Sequence, residues 1–214
     1  MRGLLLVGGE GPQRETLTPF LADVEHVVAA DSGFDLCLEL DIDADFVVGD
    51  MDSVQNRLAL NRVPRDRVCE YSHDKDETDT EIGLQLLRQM GCTQVILAGG
   101  GGGRLDHLLA ICALFERDLA PDIWLTRREH VQVIRGAADF CGWRGQTISF
   151  FPIGPAVQGV RSEGLKWSLN EVEFRRGYPG ISNVVTADRL KVAVGRGALL
   201  MVRNLPGAQH VKDE

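Results

Sequence analysis

For the first two-thirds of the chain, short continuous apolar runs alternate with helix-periodic segments, and this alternation constrains the fold more than any other feature. The runs fall at residues 4–7, 26–30, 46–48, 68–71, 95–98, 123–126 and 131–134. Helical patterns lie between them near 15–22, 34–40, 56–60, 79–90 and 106–117. The runs do not alternate apolar with polar, as expected for strands covered on both faces. Such alternation of strand and helix predicts an α/β fold: a mainly parallel open sheet, right-handed crossovers and flanking helices. Thr78-Asp79-Thr80-Glu81 reads as a capping box ahead of the apolar positions Ile82, Leu86 and Leu87, and marks one helix start.

After about residue 136 the texture changes. Gly145, Pro152, Gly154-Pro155, Gly159, Gly164, Gly177, Pro179-Gly180, Gly195 and Gly197 cut the chain into short pieces. Strand-like runs at 147–151, 190–194 and 198–202 lie between them. A small all-β sandwich domain is expected there, so the chain divides into an α/β domain at 1–135 and a β domain at 136–214.

The charge is divided in the same way. Residues 1–135 hold 24 acids and 13 bases, whereas residues 136–214 hold 7 acids and 10 bases. Fifteen of the 31 acids fall between Asp31 and Glu81. A nucleic-acid binder would show a basic stripe instead. An acid-rich stretch is either a solvated face or a carboxylate cluster for a hard divalent cation. No apolar run reaches the roughly 18 residues of a membrane-spanning helix. The start, Met1-Arg2-Gly3-Leu4-Leu5-Leu6-Val7, reads as a buried strand rather than a signal sequence. Cys37, Cys69, Cys92, Cys112 and Cys141 are odd in number and scattered, which predicts reduced, mostly buried thiols in a cytoplasmic protein.

Position favours the cation. In an open parallel sheet the ligand crevice lies outside the carboxyl ends of the strands. Ala30-Asp31-Ser32-Gly33 follows one strand and Val48-Gly49-Asp50-Met51-Asp52-Ser53 another, so Asp31, Asp50 and Asp52 are expected to converge. Turn and cap roles are the other reading of Asp and Ser at such places. The segment from His73 to Glu81 packs five acids beside Lys75 just ahead of a helix. Asp79, in the first helical turn, is placed to be a further metal ligand, and Lys75 is a point charge suited to phosphate. Residues 99–103 are five consecutive glycines, followed by Arg104-Leu105-Asp106-His107. Such a run can turn its N–H groups into an anion-binding nest, and Arg104 adds a planar donor fork. It is neither a P-loop nor a dinucleotide fingerprint, since no Gly-Lys-Ser/Thr follows and Arg occupies position 104. Asp106 and His107 are helix-start residues or groups behind the ligands. Together these features point to an enzyme of nucleotide phosphates.

In this order the motifs resemble thiamine pyrophosphokinase: ADSG at 30–33, GDMDS at 49–53, DKDETDTE at 74–81, GGGGGRLDH at 99–107, then GLKWSL at 164–169 and ISN at 181–183. The resemblance spans roughly residues 1–205. It implies an α/β domain followed by a β-sandwich domain, and a Mg²⁺-dependent homodimer with thiamine sites at the subunit interface. The implied reaction transfers the terminal diphosphate of ATP to the hydroxyethyl oxygen of thiamine, releasing AMP. Asp31, Asp50, Asp52 and Asp79 are then the expected metal ligands, with Asp50, Asp52, Asp79 and Arg104 the catalytic group. Ser32, Lys75, Asp76, Thr78, Gly101, Gly102, Gly103, Arg104, Asp106 and His107 are expected around the phosphates. Trp167 would stack on a thiamine ring, with Ser182 and Asn183 beside it. The chain departs from the family pattern at Ile111, where Asn is expected, and at Val184-Val185 after the ISN. Asp50-Met51-Asp52 alone would also suit a nucleotidyl- or glycosyltransferase, and the whole set a pyrophosphokinase of another hydroxyalkyl heterocycle. A non-catalytic nucleotide or thiamine sensor would need fewer of these acids.

Overall fold

The computed structural model describes residues 1–205; the last part of the expected β domain, 206–214, lies outside the described residues. The chain divides into two compact units, Met1–Arg128 and Glu129–Glu214.

The first unit runs β1 (Arg2–Val7), α1 (Arg14–Leu21), β2 (Val24–Ala30), α2 (Gly33–Glu39), β3 (Phe46–Gly49), α3 (Arg57–Leu60), β4 (Val68–Glu70), α4 (Asp79–Gln89), β5 (Gln94–Ala98), α5 (Leu105–Leu114) and β6 (Ile123–Leu125). Every strand pair is parallel, in the order β6-β5-β1-β2-β3-β4. The chain begins in the middle of the sheet, builds outward through β4, and returns through α4 to place β5 against β1. The carboxyl ends of β1 and β5 therefore leave the sheet at its topological switch point, where ligand crevices form.

The continuous apolar runs have the expected cause. Leu4, Leu5 and Leu6 are all fully buried. Leu4 and Leu6 pack with Leu17, Phe34, Leu36 and Cys37 on one face. Leu5 points to the other face, where a Cβ on Gly83 of α4 would come within 2.5 Å of it. Burying such a leucine contributes about 1.5–3 kcal/mol. The capping box is present as read: Thr78 Oγ accepts from the Glu81 N–H, and the Glu81 carboxylate accepts from the Thr78 N–H.

The second unit contains β7 (Glu129–Ile134), β8 (Ala137–Cys141), β9 (Thr147–Gln158), β10 (Arg161–Glu163), β11 (Phe174–Arg175), β12 (Gly180–Val184), β13 (Arg189–Ala193) and β14 (Arg196–Asn204). One sheet is ordered β11-β9-β14-β7, with β12 also on β9; the other is β10-β13-β8. Ile134, Ile148, Phe150, Leu199 and Met201 from the first meet Leu190 and Val192 from the second in one buried core, so the unit is a sandwich. Its start differs from the expected residue 136. The run at 131–134, read with the parallel set, pairs antiparallel with β14 instead. An isolated apolar run carries no signal of its partner's direction. The strand at 147 is also longer than its composition suggested, continuing through Pro152 and Pro155 to Gln158. Both prolines fall between the last β12 pair, at Phe150, and the first β11 pair, at Ala156. One edge of β9 has no partner strand there, so a missing N–H costs nothing.

All five cysteines are free, but only Cys37 and Cys92 are buried; Cys112 and Cys141 are exposed, against the expectation of mostly buried thiols. Burial pushes the Cys37 thiol up to about 12, which makes it inert. Among the described residues no helix is long and apolar enough to cross a membrane.

Candidate active site

The carboxyl edge of the first unit's sheet opens into a cavity of about 630 Å³. Its walls come from the ends of β1, β2 and β3, the start of α4, the glycine turn after β5, and one face of α5. That volume falls in the range of small-molecule sites.

Three aspartates converge in it. Ligand oxygens of Asp31, Asp50 and Asp79 all lie within 4.8 Å of one another. Asp31 ends β2 at φ 48°, its N–H donating to Val48 O at 2.8 Å. Gly49, just before Asp50, sits at φ 134°. A Cβ there would lie 3.1 Å from the Asp79 carboxyl carbon and 3.2 Å from Asp31 Cβ, so only glycine lets the acids close up unhindered.

The Asp31 Oδ1 and Asp79 Oδ1 atoms are buried without a hydrogen-bond donor among the described residues. Lys75 Nζ lies 3.1 Å from Asp79 Oδ1, close enough for an ion pair but off hydrogen-bond geometry. Burial pushes the Asp79 carboxyl above its ordinary pKa; Lys75 opposes this, and the Asp50 and Asp31 charges add to it. Clustered carboxylates with buried unsatisfied oxygens are costly unless a cation joins them. An all-oxygen donor set suits a hard divalent ion such as Mg²⁺.

Asp52 does not join this triad. It groups instead with Asp50 and His73, so that Asp50 is common to both sets. His73 Nδ1 lies 2.7 Å from Asp50 Oδ2 and donates to it. That bond holds the Asp50 carboxyl below its ordinary pKa and His73 above its own. The sequence reading missed His73, because an exposed loop histidine carries no periodic signal; its only clue was its place at the head of the acidic segment.

The glycine turn is narrower as a nest than five N–H groups. Gly99 donates to Leu125 O at 3.0 Å, Gly100 to Gly8 O at 2.9 Å and Gly101 to Glu10 O at 3.2 Å. The Gly101 N–H expected to meet phosphate is therefore engaged in joining this turn to the loop after β1. The Gly102 and Gly103 N–H groups donate to nothing among the described residues, and both residues line the cavity.

The remaining expected residues separate into two groups. Ser32, Lys75, Thr78, Arg104 and His107 line the cavity; Asp52, Asp76 and Asp106 do not. Arg104 is turned onto Asp106, its Nε 3.1 Å from Oδ1 and its Nη2 2.6 Å from Oδ2. Ile111, where Asn was expected, is buried, and a Cβ on Gly100 would come within 2.4 Å of its Cδ1. It supports the glycine turn by packing rather than by a polar contact. Among the further lining residues that were not read as site residues are Glu81 and Arg117, joined as an ion pair. Burial pushes Glu81 up, but its bonds from Thr78 and Arg117 outweigh this and leave it below its ordinary pKa.

In the second unit Trp167 is 53% exposed, with Lys166 Nζ 4.5 Å from its ring centroid. Asn183 is buried and serves Trp167 rather than facing solvent. Its Nδ2 donates to Trp167 O at 2.7 Å, and its Oδ1 accepts from Trp167 N–H at 3.2 Å. Ser182 is exposed at φ 59°, its N–H donating to Ser149 Oγ at 3.1 Å. The asparagine thus presents the indole.

Carboxylates placed so that they could hold a divalent cation, beside unsatisfied N–H groups at a parallel-sheet switch point, fit the class of phosphate-transferring enzymes that use a nucleotide. Two family models match in succession: the catalytic domain of thiamin pyrophosphokinase over residues 17–125 and its vitamin B1 binding domain over 131–199. The chain belongs to the thiamin pyrophosphokinase family. It is 26% identical to thiamine pyrophosphokinase of Bacillus subtilis, with 95% of this chain and 99% of that one aligned. The crystal structure of that enzyme superposes with a TM-score of 0.79 over 95% of this chain and 99% of the other, at 21% identity. Thiamin pyrophosphokinase from Geobacillus thermodenitrificans gives a TM-score of 0.77 at 25% identity, covering 97% and 99%.

Proposed function

We propose that this chain transfers the terminal diphosphate of ATP to the hydroxyethyl oxygen of thiamine, giving thiamine diphosphate and AMP. The observation that carries the reading is the Asp31–Asp50–Asp79 triad, with its buried unsatisfied oxygens, in one cavity with the free N–H groups of Gly102 and Gly103.

The triad is fitted to hold Mg²⁺, which supplies neutralisation of phosphate charge when bound. Diphosphoryl transfer asks little covalent chemistry of the protein and much alignment. The Gly102 and Gly103 N–H groups donate to phosphate oxygens in the turn. Lys75, mostly buried beside Asp79, adds a fixed positive charge. Arg104 must leave Asp106 to offer its fork to a phosphate, and both groups are exposed enough to part. One of the aspartates at the site accepts the proton of the substrate hydroxyl as the bond to phosphorus forms. The β unit supplies the thiamine side: the face of Trp167 suits a cationic aromatic ring. In this reading two chains pair, and each thiamine site uses Trp167 from one subunit and the triad of the other. Thus the α/β unit binds ATP and Mg²⁺, and the β unit binds thiamine and dimerises.

Incubation with ATP, Mg²⁺ and thiamine tests the reaction. AMP and thiamine diphosphate should appear in equal amounts, and AMP only when thiamine is present. ADP as the product, or AMP release indifferent to thiamine, would reject it.

A further inference from the structure

We infer that Arg117 is a positioning residue for the cation site: by clamping Glu81 it locks the first turn of α4, and so fixes Asp79 against Gly49 and Asp31. The inference rests on the reading of Asp79 as a cation ligand.

Asp79 is the first residue of α4, and its place depends on how that helix begins. The Thr78 N–H and Thr78 Oγ both donate to Glu81 Oε2, each at 2.9 Å. Glu81 N–H donates back to Thr78 Oγ at 3.2 Å. These three bonds close a ring around Asp79 and Thr80. The ring leaves Glu81 Oε1 as its one open acceptor, and Arg117, from the turn after α5, takes it. Glu81 is only 8% exposed, so water cannot readily replace that partner. Without Arg117 the carboxylate would turn toward solvent and pull the cap open. Asp79 moves with that turn, and its carboxyl is placed close against Gly49, where a Cβ would lie 3.1 Å away.

Arg117 is three residues beyond α5, whose opposite end carries Arg104 and His107. The pair therefore ties the helix that follows the glycine turn to the helix that carries the third aspartate. The sequence gives no sign of it, because the two partners are 36 positions apart.

The test measures Mn²⁺ binding to the full chain by electron paramagnetic resonance, together with steady-state kinetics. Arg117→Met should weaken Mn²⁺ binding about tenfold, the usual scale for losing a group that holds a ligand. It should raise the Mg²⁺ concentration for half-maximal rate in proportion and leave the KM for thiamine unchanged. Arg117→Lys, which keeps a cation within reach of Glu81, should recover part of the loss. Thr78→Ala should weaken Mn²⁺ as well, and the double variant with Arg117→Met should be no worse than the poorer single, because both act through Glu81. If Arg117→Met does not fold, Arg117→Lys combined with Thr78→Ala carries the same additivity test. Mn²⁺ affinity within twofold of wild type in Arg117→Met, or additive losses in the double variant, would overturn the inference. Asp79→Asn separates the two readings. If it weakens Mn²⁺ while Arg117→Met does not, the clamp alone is wrong; if it leaves Mn²⁺ unchanged, the cation site itself is wrong.

Discussion

His130 makes the second unit sensitive to acid, by an amount that its surroundings allow to be worked out. It lies on β7 opposite Arg203 on β14 and is 4% exposed. Arg203 Nη2 is 3.2 Å from His130 Nδ1. A guanidinium only donates, so Nδ1 accepts and the neutral ring carries its proton on Nε2. Arg203 is itself held by Gln146 Oε1 at 2.8 Å and by the Trp143 ring, 4.2 Å from its Cζ. Burial first, and the Arg203 charge second, push His130 from 6.5 down to about 4. The folded pKa is depressed, so the unfolded chain takes up the proton first. The stabilisation is complete above the unfolded value and is lost as pH falls from about 6.5 to about 4, with no further loss below. Linkage gives a loss of about 2 kcal/mol at pH 5 and about 3 kcal/mol at the limit. The assay is urea unfolding followed by tryptophan fluorescence, for wild type and His130→Asn, between about pH 7.5 and pH 5. Asn keeps an acceptor for Arg203 but cannot titrate. The variant should start less stable through lost packing, yet wild type should lose about 2 kcal/mol more than the variant over that interval. Carboxylates common to both cancel in the difference. Parallel pH profiles would refute the reasoning, showing that His130 is no less basic folded than unfolded.

Four further outcomes follow from the sites of the two units. Asp79→Asn should lower turnover at least about a hundredfold, while its thermal midpoint in EDTA should not fall, because burial already disfavours the ionised carboxyl there; calorimetry showing a drop of several degrees would assign Asp79 to the fold rather than to a cation. Gly49→Ala places a Cβ at 3.1 Å from the Asp79 carboxyl in a backbone conformation at φ 134°; a cost of about 1–3 kcal/mol by urea unfolding, with weakened Mn²⁺ binding, is expected. Trp167→Ala should raise the KM for thiamine far more than that for ATP, and Asn183→Ala should do the same by releasing the Trp167 backbone. Mixing Trp167→Ala with Asp79→Asn should restore some thiamine-dependent AMP release, and no recovery despite proven heterodimers would place each site within one chain.

The sequence alone determined the class of the fold and the kind of chemistry. Continuous apolar runs and helical periods are local signals, and each is imposed by what a strand or helix must bury, so β1 to β6 and their helices stood where the pattern put them. Residues at strand ends share one edge of a parallel sheet by topology, which is why Asp31 and Asp50 could be brought together on paper. Thr78 and Glu81, three apart at a helix start, announced their cap for the same local reason. Tertiary structure decided whatever depends on partners distant in sequence. It placed β7 antiparallel to β14, because an edge run of apolar residues pairs with whichever strand packing brings to it. It engaged the Gly99, Gly100 and Gly101 N–H groups with Leu125, Gly8 and Glu10, leaving only part of the glycine run to bind an anion. It set Asp52 with Asp50 and His73 rather than with Asp31 and Asp79, with Met51 between the two carboxylates at φ 61°. It also joined Arg117 to Glu81 and made Asn183 the support of Trp167 rather than a surface contact. These choices are hydrogen bonds or ion pairs between groups well separated in the chain. Such pairings are fixed by the geometry of the packed chain, whereas the sequence fixes only which groups are available to make them.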